Sequence, residues 1–296
     1  MTLITDTLSE SMNERLNRAF APVSEPSAQP DASVVLVTPE TAERWLGKNT
    51  SNRNIRKSAV NAYARDMTAG RWVLNGEAIK FSSDGVLLDG QHRLLAVIAA
   101  KTAVRFLVVR GVSADAMVTI DTGMARRFGD VLKINGETTT TTLAAILRLI
   151  VHWNAGRYMM PSGGSVRVTH SEMADFLEAN PAVRYSAQIG ASESIRNVIP
   201  GSAIGLCHWL FTTIEPNDAT WFIRRIADED VEVDHPARVL RRRMIQMRIT
   251  SNGRVDCATA VALTIRAWNS YRNGERPHKL QLPKGGLTNE NFPRPR

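Results

Sequence analysis

Cysteine is nearly absent from this 296-residue chain, which contains only Cys207 and Cys257. Neither lies in a CxxC or CxxH pair, so the sequence excludes a disulfide scaffold and argues against a structural zinc site or a redox motif. Long apolar runs are missing too, since none approaches the ~20 residues that a membrane-spanning helix requires. The N-terminus carries Asp6, Glu10 and Glu14 and has no apolar signal core. These absences predict a soluble protein of the reducing cytoplasm, without a membrane partner.

Acidic residues are scarce in the last fifth of the chain. Residues 237–296 contain thirteen Lys or Arg and three Asp or Glu, a balance of +10, whereas the rest of the chain has a balance of −2. Such asymmetry is typical of proteins with a polyanionic partner, most simply nucleic acid, although a solvated basic helix face has the same composition. The candidate nucleic-acid contacts are the arginines of the densest basic cluster: Arg238, Arg241, Arg242, Arg243 and Arg248. They cannot all share one face of a helix, so some face solvent even if others meet phosphate.

Patterning divides the chain into four stretches. Residues 1–32 include three prolines and little apolar periodicity, which predicts a disordered tail. Residues 33–130 alternate short apolar strands with helices, whereas residues 131–275 have helical periodicity only. Residues 276–296 are rich in proline and glycine and predict a loose tail. The fold class is therefore α+β, with an α/β first domain and an all-helical, C-terminally basic second domain.

Local signals place the individual elements. Strands are predicted at 33–37, 77–81, 86–88 and 104–109, and the main helices at 39–46, 56–69, 91–100, 143–153, 171–178, 203–211, 218–227, 236–249 and 256–272. Residues 169–187 also match the outline of a helix–turn–helix, although the sequence between the two helices equally suits a plain break.

The segment L-L-D-G-Q-H-R-L-L-A, residues 87–96, joins a strand to a helix through a glycine turn. A helix start offers unpaired N–H groups and a positive dipole end, and Gly90 permits close approach of a phosphate, with Gln91 beside it. Arg93 suits phosphate binding, His92 can move a proton near neutral pH, and Asp89 can accept a proton or hold a divalent metal. We therefore expect Asp89, His92 and Arg93 to be catalytic, Gly90 and Gln91 to contact the ligand, and Asp89 to bind the metal.

Two alternatives to these assignments stay open. Asp89 and Gly90 also suit an ordinary turn that starts a helix, with His92 and Arg93 as surface residues. Arg53 and Arg126 lie in loops that flank predicted elements and are further candidates for phosphate binding. A solvated surface position explains each of these two arginines equally well.

D-G-Q-H-R at 89–93, after a strand and before a helix with Ala96, resembles the signature turn of the ParB/sulfiredoxin superfamily. The context is similar as well: Asn52-Arg53, then Met67-x-x-Gly70-x-Trp72, Ile79-x-Phe81 and Gly85-x-Leu87, and later Ile120-Asp121-x-Gly123 with Arg126-Arg127. This set resembles the D-G-Q-H-R type of ParB-like domain found in phage and mobile-element genomes. The resemblance covers residues 33–130 well and the helical part weakly. It implies a ParB/sulfiredoxin-like N-terminal domain with a small mixed sheet that binds a nucleotide, ATP or CTP with Mg²⁺.

Position 91 separates this chain from three branches of that superfamily. Sulfiredoxins have a nucleophilic cysteine where this chain has Gln91, and an amide cannot replace a thiolate, so sulfinic-acid reduction is disfavoured. Partition-type ParB proteins have an acid and two arginines after the glycine. In this chain Gln91 and His92 replace the acid and the first arginine, and Arg93 matches the second arginine. Serine-kinase relatives carry D-G-H-H-R and differ from this chain only at Gln91. That similarity implies Mg²⁺-assisted NTP hydrolysis or phosphotransfer at the turn.

Two functions follow from the sequence. The first is a ParB-like nucleotide-binding protein that acts on or with DNA, in a bacterial or phage-infected cell, with NTPase or phosphotransferase activity. The alternative is a non-catalytic DNA-binding or adaptor protein with the same fold. A nuclease is disfavoured because no cluster of acids surrounds the turn. Whether two copies form a homodimer stays open.

Overall fold

The computed structural model describes residues 30–49, 54–113, 116, 120, 126–159 and 166–296. The chain forms two compact units, residues 1–125 and 126–296, where the sequence predicts a boundary after residue 130. Most of the predicted tail, residues 1–29, lies outside the described residues, as does Arg53. The fold class is confirmed in outline, since a mixed sheet lies in the first unit and the second unit is mostly helical.

A four-stranded mixed sheet forms the first unit, with strand order β1-β4-β2-β3. Its strands are β1 (Asp31–Val37), β2 (Ala78–Ser82), β3 (Leu87–Asp89) and β4 (Val104–Val112). β1 is antiparallel to β4, β4 is parallel to β2, and β2 is antiparallel to β3. The first strand begins two residues earlier than predicted, because Asp31 and Ala32 continue the pairing with β4.

Three helices pack with this sheet: α1 (Pro39–Leu46), α2 (Lys57–Thr68) and α3 (Gln91–Ala100). The start of α1 follows the predicted signals, since the Thr38 hydroxyl accepts from the Thr41 amide at 3.2 Å and Pro39 is the first helical residue. Their shared core contains Ile79 and Phe81 of β2 and Leu94 of α3. Burial of these apolar side chains holds the start of α3 against β2.

The second unit consists of helices in the part that the structure describes. They are α4 (Phe128–Ile134), α5 (Thr140–Asn154), α6 (His170–Ala179), α7 (Val183–Ala191), α8 (Glu193–Arg196), α9 (Gly201–Thr212), α10 (Pro216–Asp228), α11 (Pro236–Thr250) and α12 (Cys257–Arg272). Trp268 of α12 is fully buried and stacks on Phe211 of α9, with ring centroids 4.3 Å apart. Sequence periodicity missed α4 and α8, and it indicated α7 only as the second helix of the helix–turn–helix outline. Ala182 precedes α7 without a side-chain cap, so α7 lacks an ordinary start signal.

Residues 276–296 pack onto α12, where the sequence predicts a loose tail. Leu280 and Phe292 are buried in the core of the second unit. The indole N–H of Trp268 donates to the carbonyl of Arg296 at 2.9 Å. The proline and glycine content predicts an irregular backbone, but it does not predict whether that backbone packs against a neighbouring helix.

Candidate functional site

The turn between β3 and α3 exists because residue 90 has no side chain. Gly90 has φ +105°, a backbone conformation that favours glycine. A Cβ atom at this position would lie 2.9 Å from Cγ1 and 3.2 Å from Cα of Ile79. Glycine therefore lets the start of α3 approach the β2 backbone closely. The strand–turn–helix predicted from D-G-Q-H-R is present in the structure.

The carboxylate of Asp89 is fully engaged by protein groups. Its Oδ1 accepts from the Gly90 amide at 2.6 Å, and its Oδ2 accepts from Nη2 of Arg93 at 2.9 Å. Nζ of Lys80 lies 3.5 Å from the same Oδ2, because Lys80 is the register partner of Asp89 across β2 and β3. Two cations therefore compensate one carboxylate that is 9% exposed.

Arg93 points back toward β2, with its side chain only 13% exposed. Besides the bond to Asp89, its Nη2 donates to the Ala78 carbonyl at 2.8 Å, and its Nη1 lies 3.4 Å from Oε2 of Glu77. Its Nε is buried and has no partner among the described residues. The guanidinium group therefore connects α3 to the beginning of β2. Arg93, which the sequence predicts to bind phosphate, has a structural role here.

His92 is buried, and its ring joins α3 to the start of α2. Its Nε2 accepts from the backbone N–H of Arg56 at 2.9 Å, and Arg56 is the residue that precedes α2. A ring nitrogen that accepts a hydrogen bond carries no proton, so this contact requires the neutral imidazole. Nε2 is therefore committed to positioning the backbone of Arg56, rather than to the proton transfer expected of His92.

Gln91, like Arg93, has a buried polar atom without a hydrogen-bond partner among the described residues. It is 8% exposed, and its Oε1 has no hydrogen-bond partner among the residues that the structure describes. Within that part of the chain no side chain caps the amides at the start of α3. A carboxamide offers an acceptor and two donors, so it can bind a hydroxyl group, an amino group or a phosphate oxygen. The turn therefore combines unsatisfied hydrogen-bonding groups with a positive helix end.

The residues at the turn do not suit a divalent metal. Across the described ranges, no group of three or more His, Cys, Asp or Glu side chains could hold an ion. A Mg²⁺ ion requires oxygen ligands, and here Asp89 is the carboxylate expected to supply them. Both of its oxygens already accept from Gly90, Arg93 and Lys80. A metal at this point would have to displace two cations.

Two further residues, Arg53 and Arg126, are predicted to bind phosphate. Arg53 falls outside the described residues, and Arg126 is an exposed residue at the beginning of the second unit. Sequence reasoning missed Lys80, which supplies the second cation beside Asp89. A lysine between Ile79 and Phe81, both buried in the middle of a strand, is the signal that points to it.

Three of the five arginines proposed for nucleic-acid contact bond to the backbone of their own unit. Nη1 of Arg241 donates to the carbonyls of Ile226 and Ala227, at the end of α10. Nη1 of Arg248 donates to the carbonyls of Arg196 and Asn197, at the end of α8, at 3.2 and 2.7 Å. Carbonyls at helix ends lack helical partners and attract cations.

The remaining arginines of α11 differ in whether they form an ion pair with an acidic side chain. Arg238 donates to the Val231 carbonyl at 3.1 Å and lies 3.7 Å from the Glu229 carboxylate. Arg243 contacts Gln246, one turn further along the helix, at 3.5 Å. Arg242 is exposed. Within the described part of the chain, Arg242, Arg243 and Arg248 form no ion pair, so three of the five charges in the basic cluster have no acidic partner.

The segment with a helix–turn–helix outline consists of α6 and α7, which are separated by residues 180–182. Arg184, in the first turn of α7, binds the Glu137 carboxylate through Nε at 3.0 and 2.9 Å. This contact raises the pKa of Arg184 and lowers that of Glu137 through their shared hydrogen bonds. Tyr185 and Gln188 are left as the exposed side chains of α7 with polar groups.

No helix in the described ranges has both the length and the apolar character needed to cross a membrane. No family model, curated protein or solved structure matches the chain.

Proposed function

We propose that the first unit is a ParB/sulfiredoxin-like domain that binds a nucleotide at the start of α3, in a protein that acts with DNA. The sequence resemblance at residues 89–93 suggests the ligand. The proposal is also supported by the mixed sheet and by the glycine turn before α3, because the N-terminus of a helix after such a turn can bind a phosphate group. We place the protein in the cytoplasm of a bacterium or a phage-infected cell.

The observation that carries this proposal is the buried carboxamide of Gln91. A buried acceptor without a partner costs about 1–3 kcal/mol, and Gln91 lies in the first turn of a helix that no described side chain caps. A ligand with hydroxyl groups or phosphate oxygens removes that cost when it binds the carboxamide and the helix amides together. Lys80, about a third exposed, adds a cation near the same turn.

In this proposal the nucleotide is a bound ligand that is not turned over. Specific contacts favour this alternative over phosphotransfer: Asp89 is neutralised by Arg93 and Lys80, and Nε2 of His92 accepts from the Arg56 amide. Because Asp89 does not fit a metal, the proposal includes no metal-assisted step. The nucleotide then acts as a conformational ligand of a DNA-associated adaptor.

Thermal unfolding in the presence of ATP and CTP, each with Mg²⁺ and with EDTA, tests the proposal. A ligand at 100 times its Kd stabilises the folded state by about 2.7 kcal/mol, which raises Tm. Gln91→Ala should abolish the nucleotide-dependent rise while leaving Tm without nucleotide unchanged or higher, because it removes an unsatisfied buried acceptor. Gln188→Ala, at an exposed glutamine of the second unit, is the matched control.

The outcomes separate the parts of the proposal. If neither nucleotide raises Tm of the wild type, nucleotide binding is refuted. If Gln91→Ala lowers Tm by itself and leaves the nucleotide response intact, Gln91 is a packing residue and the site is misplaced. Release of labelled phosphate that Asp89→Asn abolishes would restore the phosphotransferase alternative, whereas no release from the wild type agrees with binding alone.

A further inference from the structure

A cleft of about 520 Å³ lies between α12 and the chain segment that follows it. We call it the C-terminal cleft; its walls include Arg266 and Asn269 of α12 and Glu275, Lys279, Arg294 and Arg296 from the following segment. None of these residues belongs to the turn at Gly90 or to the arginine cluster of α11. The cleft therefore shares no residue with either predicted site.

The walls of the C-terminal cleft are held in place by α12. The Asn269 carboxamide donates to the Arg294 carbonyl at 2.8 Å and accepts from the Arg296 amide at 3.0 Å. The Trp268 indole fixes the Arg296 carbonyl, and the guanidinium group of Arg294 lies 3.1 Å from the centroid of the Tyr158 ring. The backbone at the end of this segment and the Arg294 guanidinium group are thus positioned before any partner arrives, which reduces the entropy lost on binding.

Within the described part of the chain, the cations of the C-terminal cleft are not paired with acidic side chains. Four side chains that line it are cationic, namely Arg266, Lys279, Arg294 and Arg296, and none forms an ion pair within the described part of the chain. Glu275 is the acidic side chain in the lining, and the Ser270 hydroxyl and the Asn273 amide donate to it. Those hydrogen bonds, led by that from Ser270, lower the pKa of Glu275.

Neighbouring arginines show that this concentration of charge is local. Arg272 pairs with Asp218, and Arg276 lies 3.4 Å from Glu232 and 3.7 Å from Asp234. Together with the bonded arginines of α11, these pairs use much of the positive charge counted in residues 237–296. The C-terminal cleft therefore gathers a large part of what is left in one place, where it attracts anions most strongly.

We infer that the C-terminal cleft binds the phosphate backbone of a nucleic acid. Separate cations along an open, mostly polar cleft suit a polymer with a charge on every unit, whereas a single small anion requires donors that converge on one point. This inference rests on the proposed contact with DNA and names its surface. It moves that surface from α11, where three of the five arginines bond to the backbone, to residues that form no ion pair within the described part of the chain.

Fluorescence anisotropy of a labelled DNA duplex, titrated with the full chain at 50–200 mM KCl, tests the inference. Each lost phosphate contact reduces the slope of log K against log[salt] by about 0.9. The double variant Arg266→Gln/Lys279→Gln should therefore bind more weakly, with a slope shallower by about 1.8. Arg254→Gln/Lys284→Gln is the matched control, because it removes two exposed cations of the same region that do not line the cleft.

Each outcome has a distinct meaning. Retained affinity and slope in the cleft variant, while the wild type binds DNA, overturn the inference and leave the proposed function standing. Equal losses in the cleft variant and the control also overturn it, as does a loss confined to Arg242→Gln/Arg243→Gln. If the wild type binds no DNA, the proposed contact with DNA fails as well. If polyglutamate displaces the duplex at equal charge concentration, the surface takes an acidic protein instead. Thermal unfolding of every variant checks that the fold is intact.

Discussion

Replacing Gly90 by alanine tests the packing on which the candidate site depends. A side chain at φ +105° strains the backbone by about 1–3 kcal/mol. The new Cβ would also lie 2.9 Å from Cγ1 of Ile79 and 3.2 Å from its Cα. Because the second of these atoms belongs to the backbone of a buried strand, rotation of a side chain does not relieve the contact. Overpacking of this kind adds about 1–3 kcal/mol, so we expect a total loss of about 2–6 kcal/mol.

Urea unfolding of Gly90→Ala and Gly76→Ala separates strain from collision. Gly76 has φ +83°, and a Cβ there would meet no atom within 4 Å, so its replacement costs backbone strain alone, about 1–2 kcal/mol. The difference between the two free energies of unfolding measures the contact with Ile79. Equal losses, or a larger loss for Gly76→Ala, would show that β2 and the start of α3 are not as close as the structure has them.

Two more predictions concern buried charge and pH. Asp89→Asn should lower the free energy of unfolding by about 1–3 kcal/mol, because Arg93 loses its buried counter-ion and keeps only the exposed Glu77. The exposed Asp84→Asn should change it by less than about 0.5 kcal/mol in the same urea titration. Burial lowers the pKa of His208 from 6.5 to about 4, so below pH 6.5 the unfolded chain binds a proton that the folded chain does not. Stability due to this histidine is present above pH 6.5 and is lost by about 3 kcal/mol as pH falls to 4. The loss should disappear in His208→Gln, and parallel pH profiles for the two proteins would contradict the assignment.

Much of the first unit could be predicted from the sequence because its elements carry local signals. Short apolar runs bounded by turn residues indicated all four strands, and Thr38 with Pro39 marked the start of α1. The glycine turn before α3 was predicted for the same reason. Strand order and direction were not, since the pairing of β2 with β4 joins segments far apart in the chain.

The partners of the site residues could not be predicted, because they depend on register and packing. Asp89 meets Lys80 only because β2 and β3 pair antiparallel with these two residues opposite each other. His92 meets the amide of Arg56 only because α2 and α3 are neighbours. Residue types in a motif indicate which chemistry is available. Register decides whether that chemistry is open to a ligand or already used within the protein.

The partners of the basic residues could not be predicted for the same reason. Counting charges in residues 237–296 identified an excess that is real, but a count does not say which cations have acceptors nearby. Arg241 and Arg248 meet carbonyls at the ends of α10 and α8, and those helix ends are brought to them by tertiary packing. The C-terminal segment is similar, since Asn269 provides the donor and acceptor that hold it and lies in another element.

Position 91 carries the argument for the proposed ligand site at this turn. Asp89, His92 and Arg93 make contacts that would hold together any strand and helix of this geometry, so their presence agrees with either alternative. A turn with only a structural role would favour an apolar residue at a position as buried as 91, because an unsatisfied acceptor costs about 1–3 kcal/mol. Gln91 keeps that cost at an uncapped helix start. In the proposed function, a ligand that completes the hydrogen bonds of the Gln91 carboxamide explains why a polar residue occupies this buried position.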